Sequence, residues 1–194
     1  MSDLKECKSY PIPIPPGPAS LGAADHFLKG GGMARRTFNC GQIFFIGDDS
    51  SDAKSMLGAW EAFARFAAGS DLSCVIAGLI SERHRRELPA CAGRLGIRQK
   101  TRLFGHADDH PLINLHRNAE FLACPSFHEG FGLPVVEAMA CGCPVMVSNA
   151  SSLPELMPDD EWLVDPRNPA DMAGKMQRQL ALTMARRREL IETN

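Results

Sequence analysis

From position 42 onward, short apolar runs alternate with longer segments in which apolar residues recur every three or four positions. A short apolar run bounded by turn residues reads as a strand buried on both faces, whereas the three-and-four recurrence reads as an amphipathic helix. Strands are therefore expected at 43–46, 74–77, 101–104, 120–124, 145–148 and 162–164. The first helix should cover about 52–68, with Met56, Leu57, Trp60, Phe63, Ala64 and Ala67 on one face. A second should run about 81–95, with Ser81 as its cap and Gly96 as its stop. Short helices are expected at about 110–118 and 134–141, and one long helix should close the chain from 169 to about 190.

Strands separated by helices, joined by right-handed crossovers, make an α/β protein. The expected fold is a single Rossmann-like, doubly wound parallel sheet of about six strands with helices on both faces. Such sheets bind ligands at the carboxyl ends of their strands, which gives weight to the loops after Ile46, Ala77, Phe104, Cys124 and Ser148. Residues 1–40 differ from the rest: PIPIPPGP at 11–18 and Gly30-Gly31-Gly32 interrupt any periodicity. They read as an extended leader or interdomain linker, leaving 41–194 as one folded domain.

Composition adds exclusions. Apolar residues are 44% and charged residues 23%, close to the average soluble domain. A formal net charge of −2 gives no field that would gather nucleic acid or an anionic membrane, so no nucleic-acid partner is expected and any anion must be bound locally. The basic clusters Arg83, Arg85, Arg86 and Arg186 to Arg188 read as solvated helical faces. Seven cysteines, an odd number, with Cys74 and Cys124 inside apolar runs, suit a reducing compartment. No apolar run approaches the length of a membrane span and MSDLKECKSY lacks the apolar core of a signal peptide, so a cytoplasmic location is expected. Cys141-Gly-Cys143 has no second cluster at ligand spacing; it reads as small residues at a helix stop, and no metal site is expected.

The densest chemistry lies in EGFGLPVVEAMACGCPV, Glu129 to Val145. Pro134 suits a first helical turn and Gly142 the residue past the end, so the helix is short and well bounded. Its N-terminus offers N–H groups and positive dipole, and Gly130-Phe131-Gly132-Leu133 lets backbone approach a ligand there: a phosphate would fit. Carboxylates touching that phosphate would repel it, so Glu129 and Glu137 suit neighbouring hydroxyls instead, Glu137 a ribose and Glu129 a second sugar. A phosphate between two sugars describes a nucleotide sugar. On the residues alone, a loop acid and a surface helical acid explain the pair equally well. Lys54, at the start of the first helix, stands on the same edge as a cation for a diphosphate, although spacing alone favours a solvated lysine.

PSFHEGFGLPVVEAMACGCPVMVSNASSLPEL, 125–156, resembles the retaining glycosyltransferases of family 4, also called group 1, with the GT-B fold, including their E-x7-E pair at Glu129 and Glu137. Weaker echoes at FFIGDD, VIAG, LFGHADD, LHRNAEFLACPS and LVDPRNPADMA extend the resemblance over about 42–182. It implies a donor site in a C-terminal Rossmann-like domain, without a cofactor beyond the GDP- or UDP-linked donor sugar and without a metal. By resemblance, Glu137 binds the ribose, Glu129 the transferred hexose, and the amides of Phe131, Gly132 and Leu133, beside Gly130, the sugar and diphosphate. Lys54 holds the diphosphate and stabilises the leaving group, with Gly47, Gly78, Gly105 and His106 in the loops that flank the nucleotide.

The sequence departs from the family at Ala53, where an arginine is common, and in the extra acids Asp48 and Asp49. The resemblance also implies an N-terminal acceptor domain for which 194 residues leave no room, so the chain is expected to be inactive alone, with that partner supplied in cis or as a separate chain. Any contact with a membrane surface would run through that partner. The expected activity is transfer of a hexose, of mannose or glucose type, in polysaccharide biosynthesis. The competing expectation is a degenerate, non-catalytic nucleotide- or protein-binding regulatory module. A nucleotide-sugar epimerase on the same fold class is disfavoured by the E-x7-E context.

Overall fold

The computed structural model describes residues 42–46, 53–67, 70–78, 82–105 and 109–193. The expected leader at 1–40, the acidic loop with Asp48 and Asp49, Gly47, the Ser81 cap and His106 lie outside them. In chain order the elements are β1 (Gln42–Ile46), α1 (Ala53–Ala67), β2 (Ser73–Ala77), α2 (Glu82–Arg94), β3 (Thr101–Gly105), α3 (Asp109–Asn118), β4 (Phe121–Cys124), α4 (Leu133–Ala140), β5 (Val145–Ser148), β6 (Leu163–Val164), α5 (Pro169–Leu180) and α6 (Met184–Thr193). Among the described residues the strands form one parallel sheet in the order β3-β2-β1-β4-β5-β6.

Strand residues alternate between two cores, as the pleat requires. Cys74, Ile76, Phe121, Ala123 and Met146 face one core with Trp60 and Phe63 of α1, Leu88 and Ala92 of α2, and Met172 and Met176 of α5. Val75, Ala77, Leu122, Cys124, Val145 and Val147 face the other, with Val135 and Ala138 of α4 and Leu112 and Leu115 of α3. Each fully buried large side chain contributes about 1.5–3 kcal/mol, so both faces must stay covered. Gly58 lets α1 approach α5: a Cβ there would lie 3.3 Å from Met172 Cε and 3.5 Å from the Pro166 carbonyl oxygen. Among the described residues no helix is long and apolar enough to cross a membrane.

The expected single closing helix is two. Ala181 ends α5, its N–H shared between the Gln177 and Arg178 carbonyls, and the Leu182 N–H turns back to Gln179 at 3.3 Å. Thr183 then opens α6, its hydroxyl accepting the Arg186 N–H at 3.3 Å and its carbonyl the Arg187 N–H at 3.0 Å. Apolar period alone reads through this break, because a threonine that caps and one that merely occupies a helix look alike in sequence.

The break also corrects the reading of Arg186 to Arg188 as a solvated face. Arg187 and Glu120 are 7% and 11% exposed and form an ion pair. The same guanidinium donates to the carbonyls of Gln179 and Leu180, in the last turn of α5, where no N–H four residues on completes the helical pattern. Arg186 keeps the surface role, pairing with Glu161 at 3.0 Å and Glu189 at 2.8 Å, where solvent screens the interaction, and the Arg188 side chain lies outside the described residues.

Two predictions follow from this packing. Glu120→Leu strands a buried guanidinium and should lower stability by about 3–5 kcal/mol, whereas adding Arg187→Met to it should recover much of that loss. Urea denaturation of the four-member cycle checks this, and strictly additive single effects would contradict a coupled pair. His116, buried on α3, has its imidazole pushed down from 6.5 to about 4 by desolvation. The unfolded chain then takes up the proton first, so this group's contribution is intact above pH 6.5 and is lost as pH falls from there toward 4. His116→Leu should flatten the dependence of the denaturation midpoint on pH across that window.

Candidate functional site

The chain winds outward from β1 to β3 with α1 and α2 on one face, then returns through α3 to β4 on the far side of β1. β1 therefore pairs with both β2 and β4, and the winding reverses between β1 and β4. At such a reversal the loops leaving the two strands diverge and open a crevice at their carboxyl ends. The loop after β4, residues 125–132, forms one wall.

Within that loop Gly132 adopts φ +80° and ψ 38°, and it is the residue from which α4 starts, with Pro134 in the first turn. A Cβ at Gly132 would lie 2.7 Å from Leu153 Cδ2 and 2.9 Å from Leu156 Cδ1. The left-handed turn and the close approach thus both call for glycine. The Gly132 carbonyl accepts the N–H groups of Val135 and Val136, and no side chain caps this end. The N-terminal partial charge of α4, about half a positive charge, faces the crevice edge of the sheet.

The loop is held from below by hydroxyls. Buried Ser148, the last residue of β5, donates to the Ser126 carbonyl at 2.6 Å. Ser151 and Ser152 both donate to the Glu129 carbonyl, at 2.8 and 2.9 Å. Arg167, just after β6, lies over the Phe127 ring at 5.2 Å from its centroid. None of these contacts was anticipated from the sequence, although a serine run directly after a strand on this edge was the available signal.

Each anticipated residue that is described falls on this edge. Glu129, half buried, and Gly130, Phe131, Gly132 and Leu133 form the β4 loop and the first residue of α4, and Glu137 is exposed on α4. Lys54 is the second residue of α1, which follows β1; its side chain lies outside the described residues. Gly78 follows β2 at φ +141°. Gly105 ends β3 and pairs with Ala77 across a register shift. Gly78 and Gly105 stand on the β2–β3 side and Glu129 on the β4 side, with β1 between. Phe131 and Leu133, each 61% exposed, and Val136 and Phe104 present apolar surface here, the large exposed hydrophobics among the described residues. Cys143 is buried with its thiol on the Pro144 carbonyl at 3.4 Å, and among the described residues no three His, Cys, Asp or Glu side chains group to hold a metal ion.

Residues 41–194 match the family of glycosyl transferases group 1. The chain belongs to that family. Its relatives include O-antigen chain mannosyltransferase B of Escherichia coli, 46% identical over 67 residues, which are 34% of this chain and 18% of that protein. D-inositol 3-phosphate glycosyltransferase of Streptomyces bingchenggensis is 37% identical over 89 residues, 45% of this chain and 20% of that one. The matched stretches thus span about a fifth of these curated relatives. Among solved structures, the C-terminal domain of the group 1 glycosyl transferase LpcC from Francisella tularensis superimposes with a TM-score of 0.63 at 27% identity, over 79% of this chain and 80% of that one. Anabaena HepE, solved in complex with UDP and glucose, gives 0.69 at 20% identity, over 92% of this chain and 46% of that one. The glycosyl transferase chain is thus the Rossmann-like, C-terminal half of the GT-B architecture.

The geometry at Gly132 generates a prediction that separates the two loop glycines. Gly132→Ala should cost about 1–3 kcal/mol in urea denaturation, from the left-handed backbone and the contacts with Leu153 and Leu156. Gly130→Ala, with nothing within 4 Å of its added Cβ, should change stability by under about 0.5 kcal/mol.

Proposed function

We propose that this chain binds the donor of a retaining glycosyltransferase, a nucleotide diphosphate hexose. The observation that carries this reading is the uncapped N-terminus of α4, entered through the left-handed Gly132 at the winding reversal and flanked by Glu129 and Glu137. A helix N-terminus supplies N–H donors and positive potential to a diphosphate, and carboxylates on either side accept pairs of sugar hydroxyls.

In this reading Glu137 accepts from the ribose and Glu129 from the hexose. The Phe131, Gly132 and Leu133 amides and Lys54 take the charge that grows on the diphosphate as the bond from the anomeric carbon to its oxygen breaks. The leaving oxygen keeps the electron pair and takes the proton of the acceptor hydroxyl, whose oxygen bonds to the anomeric carbon on the same face of the hexose. Preorganised positive groups perform the task a bound cation performs elsewhere, so no metal is required. Gly47, Gly78, Gly105 and His106 border the nucleotide. A second Rossmann-like domain, in cis or on another chain, brings the acceptor, and the open apolar surface of Phe131, Leu133 and Val136 suits such a neighbour. The Escherichia coli relatives are named mannosyltransferases, one of them for the O-antigen chain, which supports a mannose-type hexose donor in polysaccharide assembly, a reaction we place in the cytoplasm. Ala53, opening α1 beside Lys54, favours a second reading, a non-catalytic module that has lost part of its diphosphate grip.

Titration calorimetry of the chain with UDP and with GDP, without added metal, tests the donor reading. One of them should bind, and Glu137→Ala should weaken it by about 1–3 kcal/mol, the cost of losing hydrogen bonds to a charged group. Binding unaffected by Glu137→Ala would remove the ribose role, and no binding at all would favour the non-catalytic module.

A further inference from the structure

The Glu129 carbonyl has two lone pairs, and two hydroxyls fill them: Ser151 Oγ at 2.8 Å and Ser152 Oγ at 2.9 Å. Ser151 reaches it from φ +60°, a left-handed conformation that is rare for a residue with a side chain. Among the described residues it is the one non-glycine with positive φ. Backbone strain of this kind persists where surrounding structure holds it, and here its effect is to bring two consecutive hydroxyls to one oxygen.

The next residue continues the contact. Leu153 is fully buried and its Cδ2 occupies the space a Cβ at Gly132 would need. The segment Ser151-Ser152-Leu153 thus touches the β4 loop at two points three residues apart. Between those points lies Gly130, whose surroundings within 4 Å of a Cβ are empty and which would otherwise let the Glu129–Gly130 peptide rotate. Fixing that carbonyl fixes the peptide plane, and with it the direction of the Gly130 N–H and the backbone from which the Glu129 carboxylate projects.

We propose that Ser151 and Ser152 are positioning residues that set the Glu129 peptide for the hexose, so that the site distinguishes a nucleoside diphosphate hexose from the bare nucleoside diphosphate. This rests on the donor reading above. The pair acts on the sugar end of the site through Glu129, while Glu137, on α4, is anchored by the helix and is untouched by it.

The double variant Ser151→Gly with Ser152→Ala removes both hydroxyls without opposing the backbone. Glycine accepts φ +60°, and Ser152 at φ −83° and ψ −11° suits alanine. Its urea midpoint should match the wild type. In the ligand-free chain, the backbone order parameter of the Gly130 amide should fall from the rigid range to below about 0.6, with the interior of α4 unchanged. In calorimetry with UDP, GDP, UDP-glucose and GDP-mannose, affinity for the preferred diphosphate should stay within about twofold while affinity for its hexose conjugate falls about tenfold. Ser152→Thr, which keeps the hydroxyl, should retain the wild-type preference. An unchanged Gly130 order parameter, or equal losses for diphosphate and conjugate, overturns the proposal. Wild-type chain that binds none of the four ligands overturns the donor reading and the selectivity role together, and the Gly130 order parameter then decides the loop-setting role alone.

Discussion

A parallel sheet with apolar side chains on both faces has to be covered on both, and every larger feature of this protein answers to that requirement. The alternation of Phe121 and Ala123 with Leu122 and Cys124 along β4 sends four consecutive residues into two separate cores. One layer of helices cannot serve both, so the chain winds outward on one face and back on the other, and the reversal falls beside β1. The crevice at the carboxyl edge is therefore a by-product of burial, and the loops that line it are free to carry chemistry because the cores hold the strands beneath them.

The site inherits its precision from packing of the same kind. Gly132 turns left-handed where Leu153 and Leu156 leave no space for a side chain, and this starts α4 at one fixed place and angle. Serine hydroxyls from β5 and the residues after it then tie down the carbonyls at Ser126 and Glu129. A neighbouring strand's loop thus supplies what the glycine-rich loop lacks, since glycines permit close approach to a ligand but do not hold a conformation. At the far edge of the sheet, Arg187 performs the analogous service for the end of α5, satisfying its last carbonyls while neutralising Glu120.

Much of the architecture was legible because burial imposes period. The strand at 145–148 was read to the residue, and the other strands and the first four helices to within a residue or two, since runs such as CVIA and FLAC admit few alternatives beside helices as periodic as 56–67. The closing segment was misread for the converse reason: Arg187 acts through Gln179, Leu180 and Glu120, which no local period records, and Thr183 caps α6 through the Arg186 N–H, which composition does not distinguish from a threonine inside a helix. The acids, glycines and Pro134 of the β4 loop were visible as a motif, and their neighbours on β2 and β3 as strand ends. The serines that seat the loop were not, because Ser151 and Ser152 lie more than twenty residues from the carbonyl they hold, with α4 and β5 intervening.

By itself the amino-acid sequence determined the class of fold, the edge of the sheet on which the candidate site residues fall, and the motif that places this chain among the group 1 glycosyl transferases, because hydrophobic period and a helix-start motif are local properties of a chain. Only the tertiary structure decided that the last helix breaks, that Arg187 is buried, and which hydroxyls orient the Glu129 peptide. Those outcomes depend on how a side chain's hydrogen-bonding capacity is met by residues distant in sequence, and desolvation on burial is what makes meeting it obligatory.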